Sequence, residues 1–413
     1  MIDMNRRTVI GTLGAVALGS ATPATHARAQ GTANTIRIGV LTDMSGPFRD
    51  ISGPTSAVAT RTAVQDFGSR GFNVEVVVAD HQNRPDVGVS VVRQWLDRDG
   101  VDAVVDVPNS AVALAVNGVV RERNKTYLNS TAATVELTGG QCSPNTIHWT
   151  YDTWMLSRST GGALVRSGGQ SWFFITADYA FGHSLQAQTE EFVRQAGGRV
   201  VGAVRHPFPG TTDFSSFLVQ AQASRAQVVG LANAGTDTVN SIKQAGEFGL
   251  MRRGQRVAGL LVFANDINGL SLQTAQGTVL TETFYHDLND RTRAVTRRIV
   301  ANGAQANWPS MGHAGCYGAT LHYLKTVADM GVAAAKADGR AVIARMKAMP
   351  TDDDAFGQGT IRSDGRKLHP SYLFQVKAPN ESRGPWDFYT LLGTTPAEEA
   401  FRPLAQGNCA IAA

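Results

Sequence analysis

Charge is scarce in this chain. Asp, Glu, Lys and Arg make up 17% of its 413 residues, and no lysine-rich stripe with interleaved aromatics runs through it. That argues against nucleic acid as the partner, while the abundance of aliphatic residues and glycine argues against disorder. Metal and thiol redox chemistry lack their usual spacing: there is no Cys-x-x-Cys, and His313 and His322 stand too far apart for a one-turn ligand pair. Missing too are a nucleophile elbow around a serine, a phosphate-binding glycine loop ending in Lys-Ser or Lys-Thr, and a complete dinucleotide glycine fingerprint. The expectation is a protein that is not an enzyme and carries no metal or cofactor. Asp352-Asp353-Asp354, after Pro350, reads as a solvated turn, and Arg291, Arg293, Arg297 and Arg298 read as a solvated helix face beside Asp287 and Asp290.

A second long apolar run is also lacking, so the first one stands out. Residues 1–30 combine Arg6 and Arg7, an apolar or small stretch from Val9 to Leu18, and Ala27-Arg28-Ala29 as an A-x-A site. They read as an export signal cleaved near Ala29, which places the mature chain in the periplasm. Asn5-Arg6-Arg7-Thr8-Val9-Ile10 matches a twin-arginine pattern in part and leaves folded or unfolded export open. Setting these residues aside lowers the formal net charge from +4 to +2. Cysteine is rare as well, at three. Cys142 lies in a turn-rich loop and Cys409 near the chain end, places that can meet disulfide geometry, whereas Cys316 sits in an apolar helical pattern. The expected arrangement is a Cys142–Cys409 bridge with Cys316 reduced.

What is present is an alternation of short apolar runs with amphipathic stretches, the mark of βαβ units and parallel sheet. Strands are expected at 36–41, 74–79, 103–107 and 126–129, and again at 171–176, 200–204, 228–232 and 257–263, with helices between them. Helices follow at about 290–301, 312–331 and 340–348. Residues 359–365 and 372–377 read as antiparallel strands, with Asp364-Gly365 as a turn.

In open α/β sheets ligands bind beyond the carboxyl ends of strands. The loops there hold Ser45-Gly-Pro-Phe48, Pro108-Asn109-Ser110, Asn129-Ser130-Thr131-Ala132-Ala133-Thr134, Tyr179-Ala-Phe181-Gly182, Asn233-Ala-Gly235-Thr236 and Asn265-Asp266. Hydroxyls, amides and rings dominate, which suits a small polar or carboxylated molecule and supplies little for bond-making chemistry. Trp149 and Tyr151, as alternate residues, are further candidates to line such a pocket.

Four of these stretches, in order, carry a resemblance: Ile36-Arg-Ile-Gly-Val-Leu-Thr-Asp-Met-Ser-Gly-Pro47, Asn129 to Thr138, Ala177-Asp-Tyr-Ala-Phe-Gly182, and Val228-Val-Gly-Leu-Ala232 before Ile242-Lys-Gln-Ala245. The chain resembles the leucine/isoleucine/valine-binding family of periplasmic solute receptors. The resemblance implies an α/β fold of two Rossmann-like doubly wound lobes joined by three crossovers, the periplasmic binding protein type I arrangement. It implies a first lobe of residues 33–150 plus 284–348 and a second of 151–283 plus 349–413. It also implies a small-molecule solute, an inner-membrane ABC permease as partner, and a monomer. Ser110 and the Ala132 to Thr134 stretch match the family's donors to a ligand carboxylate, and Phe181 matches an aromatic cover. Asn265 or Asp266 stands where amino-acid-binding members hold an ammonium with an acid, and Asn233 or Ala234 replaces an aromatic. If Asn265 is the match, an uncharged or aromatic acid, or an amide, is favoured over an α-amino acid. A sensor feeding a membrane kinase or chemoreceptor is the alternative use of the same clamp.

Overall fold

The computed structural model describes residues 34–412; the expected export signal at 1–30 lies outside them. The chain begins with β1 (Thr35–Thr42), α1 (Gly53–Phe67), β2 (Asn73–Asp80), α2 (Pro85–Gln94), β3 (Ala103–Asp106), α3 (Ser110–Glu122), β4 (Thr126–Asn129) and β5 (Thr146–His148). These five strands form one parallel sheet in the order β2-β1-β3-β4-β5, with Ile38 level with Val76 on one side and Ala103 on the other. A helix broken by a wide π turn follows as α4 (Thr153–Leu156) and α5 (Gly162–Arg166), where a single helix was expected.

The second parallel sheet uses β6 (Ser171–Ala177), β7 (Arg199–His206), β8 (Val228–Ala232) and β9 (Arg256–Gly259) in the order β7-β6-β8-β9. Its helices are α6 (Ala180–Gln195), α7 (Ser215–Ala223) and α8 (Thr236–Glu247), followed by the short α9 (Ala264–Leu270) and α10 (Leu272–Ala275). Central β6 reads SWFFITA and is buried throughout, as a strand covered on both faces must be, while edge strand β7 alternates between exposed and half-buried. The strand expected at 257–263 stops at Gly259, and the next residues turn into the cleft.

The remainder mixes both lobes. β10 (Val279–Glu282) precedes α11 (Asp290–Ile299), α12 (Met311–Met330), α13 (Val332–Ala337) and α14 (Gly339–Ala348). Then come β11 (Thr351–Asp353), β12 (Gly357–Ile361), β13 (Lys367–Leu368), β14 (Ser371–Val376) and β15 (Tyr389–Thr395). Helix α12 is apolar nearly all round and is buried accordingly, packed along α1. Of the stretch 349–413, β11 and β12 lie against α12 and α14, whereas β14 and β15 join β10 in a separate antiparallel sheet. One apolar core runs through both lobes, holding Ile36, Trp149, Trp172 and Tyr323 together.

One surface reading changes. Asp352-Asp353-Asp354 is not a solvated turn: Asp353 is buried at the end of β11 and accepts the Ala355 and Phe356 N–H groups at 2.8 Å. Arg291 pairs with Asp352 and Asp354, and Arg298 with Asp66 and Asp354, so α11 is tied to β11 and α1. Cys142 and Cys409 are bonded, 5.7 Å apart at Cα, and Cys316 is a buried free thiol.

Candidate functional site

The C-terminal ends of the two parallel sheets face one another, and the loops that leave them border one narrow cavity. From the first sheet it is bordered by Phe48, Ile51, Pro108, Thr131, Ala133 and the crossover residue Tyr151. Tyr179, Phe181, Ala234 and Leu261 border it from the second sheet. None of these residues carries a charge. Thr131, Tyr151, Tyr179 and Phe181 are thus the predicted residues that the structure brings to one cavity.

The first wall is fixed by two buried carboxylates. Asp43 accepts the N–H groups of Ser45, Gly46 and Phe48 and the amide of Asn83, at 3.3, 2.6, 2.9 and 2.7 Å, which curls the loop after β1 and presents Phe48. Asp106, at the end of β3, accepts the hydroxyls of Thr42 and Ser52 at 2.8 and 2.6 Å and that of Thr131, so it joins three strand-end loops. Burial pushes its carboxyl above the usual range against the pull of those hydroxyls. Asp106 and Val107 both have positive φ, 81° and 63°, a conformation costing about 1–3 kcal/mol at each non-glycine residue and typical of binding sites.

Ser110 opens α3 behind Pro108 and accepts the Thr134 N–H at 3.4 Å, and both residues are buried. Asn109 caps the same helix, taking Ala111 and Val112 N–H, while Thr134 caps the turn Val135–Thr138. Ser130 pairs with Cys316 at 3.1 Å, away from the cavity, and Ala132 offers its carbonyl to Asn129. Tyr151 donates its hydroxyl to the Thr131 carbonyl at 2.6 Å.

On the second wall Tyr179 stacks on Phe208 at 4.2 Å and lies 5.9 Å from Phe181. Asn233 is turned inward, accepting from Thr238 and donating to Ser241, so it shapes its own loop. Gly235 has φ +61°, and a Cβ there would stand 2.2 Å from the Pro47 carbonyl oxygen of the facing loop. Asn265 reaches across to Asn307 and the Trp308 carbonyl at 2.6 and 2.9 Å, and Asp266 caps its own helix on Phe263 N–H at 2.9 Å. Neither borders the cavity; Leu261, after β9, does. Burial pushes Asp266 up to about 7.

Between the walls the first crossover is held by Arg366, fully buried, which donates to the Thr150 carbonyl, faces Asp152 at 3.4 Å and sits 4.4 Å above the Phe401 ring. Burial lowers it only to about 10, so it stays charged. Sequence reasoning did not select Phe48, Phe208, Leu261, Asp106 or Arg366. The Ser45-Gly-Pro-Phe48 loop was in view as a strand end; the others gave no local signal.

The periplasmic binding protein family model matches residues 35–384, across both sheets and the crossovers. The chain belongs to the periplasmic binding protein family. It is 44% identical to a periplasmic binding protein from Burkholderia mallei, with a TM-score of 0.87 over 92% of this chain and 99% of that one. A branched chain amino acid ABC transporter periplasmic ligand-binding protein from Burkholderia xenovorans LB400 is 36% identical, with a TM-score of 0.79 over 92% and 100%. Leu/Ile/Val-binding protein homolog 6 of Brucella melitensis is 26% identical over 291 residues, 68% of this chain and 73% of that protein. Periplasmic binding proteins of this kind bind solutes and are not enzymes, and the family implies a periplasmic setting.

Proposed function

We propose that this protein captures solute for an ABC importer and that its solute is a small carboxylate with an aromatic or branched apolar body. The observation that carries the choice is the uncharged lining of the cavity. A zwitterionic amino acid would bring an ammonium into a water-poor space bordered by Phe48, Phe181, Ala234 and Leu261, with no carboxylate facing it. Burying an unpaired charge is costly, whereas an apolar body gains from the rings. Donors for a carboxylate would come from the Ser110 hydroxyl and the backbone next to Ala133, which neighbour the cavity-bordering Pro108 and Ala133 at the start of α3. Capture works by hinge closure: the second wall swings over solute held on the first, and the closed form is presented to the permease.

Thermal-shift measurements with benzoate, isovalerate and leucine test the solute class. The acids should raise Tm and leucine should not; a shift with leucine alone would overturn the choice. Ser110→Ala with Thr134→Ala should weaken binding of the responding acid about tenfold or more, with Tm of the free protein lowered by only about 2–4 °C. Unchanged affinity would place the carboxylate elsewhere.

A further inference from the structure

The two walls also touch outside the cavity, at its mouth. The Thr236 N–H, first in α8, donates to the Pro47 carbonyl at 3.1 Å. Beside it the Phe48 ring stacks on Phe208, with centroids 5.3 Å apart and planes 24° apart, and Phe208 lies on Tyr179 at 4.2 Å and 15°. Pro47 and Phe48 follow β1 of the first sheet; Phe208 and Thr236 follow β7 and β8 of the second. Neither Phe208 nor Thr236 borders the cavity. Both partners are pre-aimed. Asp43 curls the loop carrying Pro47 and Phe48, and Gly235 allows the second loop to approach closer than any side chain would.

Building on the capture reading above, we propose that Phe208 and Thr236 set the affinity for solute without touching it, as half of a latch that Pro47 and Phe48 complete. A solute that binds the closed form has an apparent Kd equal to its intrinsic value divided by the fraction closed. Contacts made only on closure raise that fraction whatever the solute. One hydrogen bond from a helix N-terminus and one ring stack are each worth a factor of roughly 3–10. The latch must open before solute leaves, so its effect falls on koff more than on kon.

Two variants test it. Thr236→Pro removes the N–H donor and sets a ring carbon against the Pro47 carbonyl in its place, at a first helical position where proline fits. Phe208→Ala removes the stacking partner. Small-angle scattering along a solute titration reads closure directly: the free variants should match wild type in radius of gyration and helical circular dichroism, and should need about 3–10-fold more solute to reach the compact form. With benzoate as probe, Kd should rise about 3–10-fold in each, through koff. Compaction at the same solute concentration as wild type would overturn the latch. If wild type takes up leucine and no acid, the reading of solute class fails while the same titration with leucine still decides the latch.

Discussion

The two walls of the cleft grow from the same kind of βα loop and are set by opposite means. On the first wall the buried acids are fully engaged: Asp43 holds four donors and Asp106 three hydroxyls. On the second wall Asp237, buried at the start of α8, has an Oδ2 that no donor meets, with the His206 Nδ1 3.8 Å away. Burial with no compensating bond pushes Asp237 up to about 7, and burial holds His206 below its ordinary range against its bond to the Pro207 carbonyl. The first wall is therefore a hydrogen-bonded frame built before solute arrives. The second offers rings and a glycine that fit against it. A rigid receiving surface opposed by a closing surface suits capture, because little order has to be gained on the first wall when solute lands.

Three experiments probe this contrast. Asp106→Ala should be the most damaging, since it leaves the Thr42, Ser52 and Thr131 hydroxyls buried without their acceptor; a loss of about 3 kcal/mol is expected in urea denaturation. A loss under about 1 kcal/mol would show that the frame does not depend on it. Gly235→Ala should come next, with affinity for the bound acid falling about 30-fold, or about 2 kcal/mol, because the new Cβ meets the Pro47 carbonyl only when the walls close. Stability of the free protein should fall by about 2 kcal/mol from the backbone conformation alone, φ 61° with ψ −135°, which residues with a Cβ rarely adopt.

The smallest effect concerns pH. Asp237 binds its proton up to about 7 when folded but only to about 3.9 when unfolded, so stability falls as pH rises through that window and levels off above it. Between pH 6 and 8 this amounts to roughly 1.4 kcal/mol. Asp237→Asn should remove that slope and leave the protein more stable than wild type at pH 8. An unchanged slope would mean that Asp237 is engaged after all. His313 and His322, held down to about 4 by burial, act in the opposite sense and at lower pH, as stability drops from about 6.5 toward 4.

Much of the fold was legible because parallel strands covered on both faces are continuous apolar runs. Ile36 to Leu41 and Ser171 to Thr176 announce β1 and β6 for that reason. β10, β11 and β15 were not legible: Val279–Glu282 is short, Thr351–Asp353 holds two aspartates, and Tyr389–Thr395 is an exposed edge strand. At the site, Asn109, Ser110 and Thr134 were visible as polar residues just past strands; Asn109 and Thr134 are caps, and Ser110 accepts the Thr134 N–H. Phe208 follows an edge strand and had nothing local to mark it, and Leu261 was taken for the inside of a strand that ends two residues earlier.

By itself the sequence determined the two-lobed parallel architecture, the family and the absence of catalytic machinery, since each depends on periodicity or on motifs within a few residues. Tertiary structure alone decided which side chains border the cavity. Asp43 and Asp106 aim loops through bonds to residues up to 64 positions away in the chain. Gly235 matters only because Pro47 lies opposite it, and Asn265 points away from the cavity only because Asn307 and Trp308 draw it across. Such choices are made by contacts between distant segments, which no local pattern records.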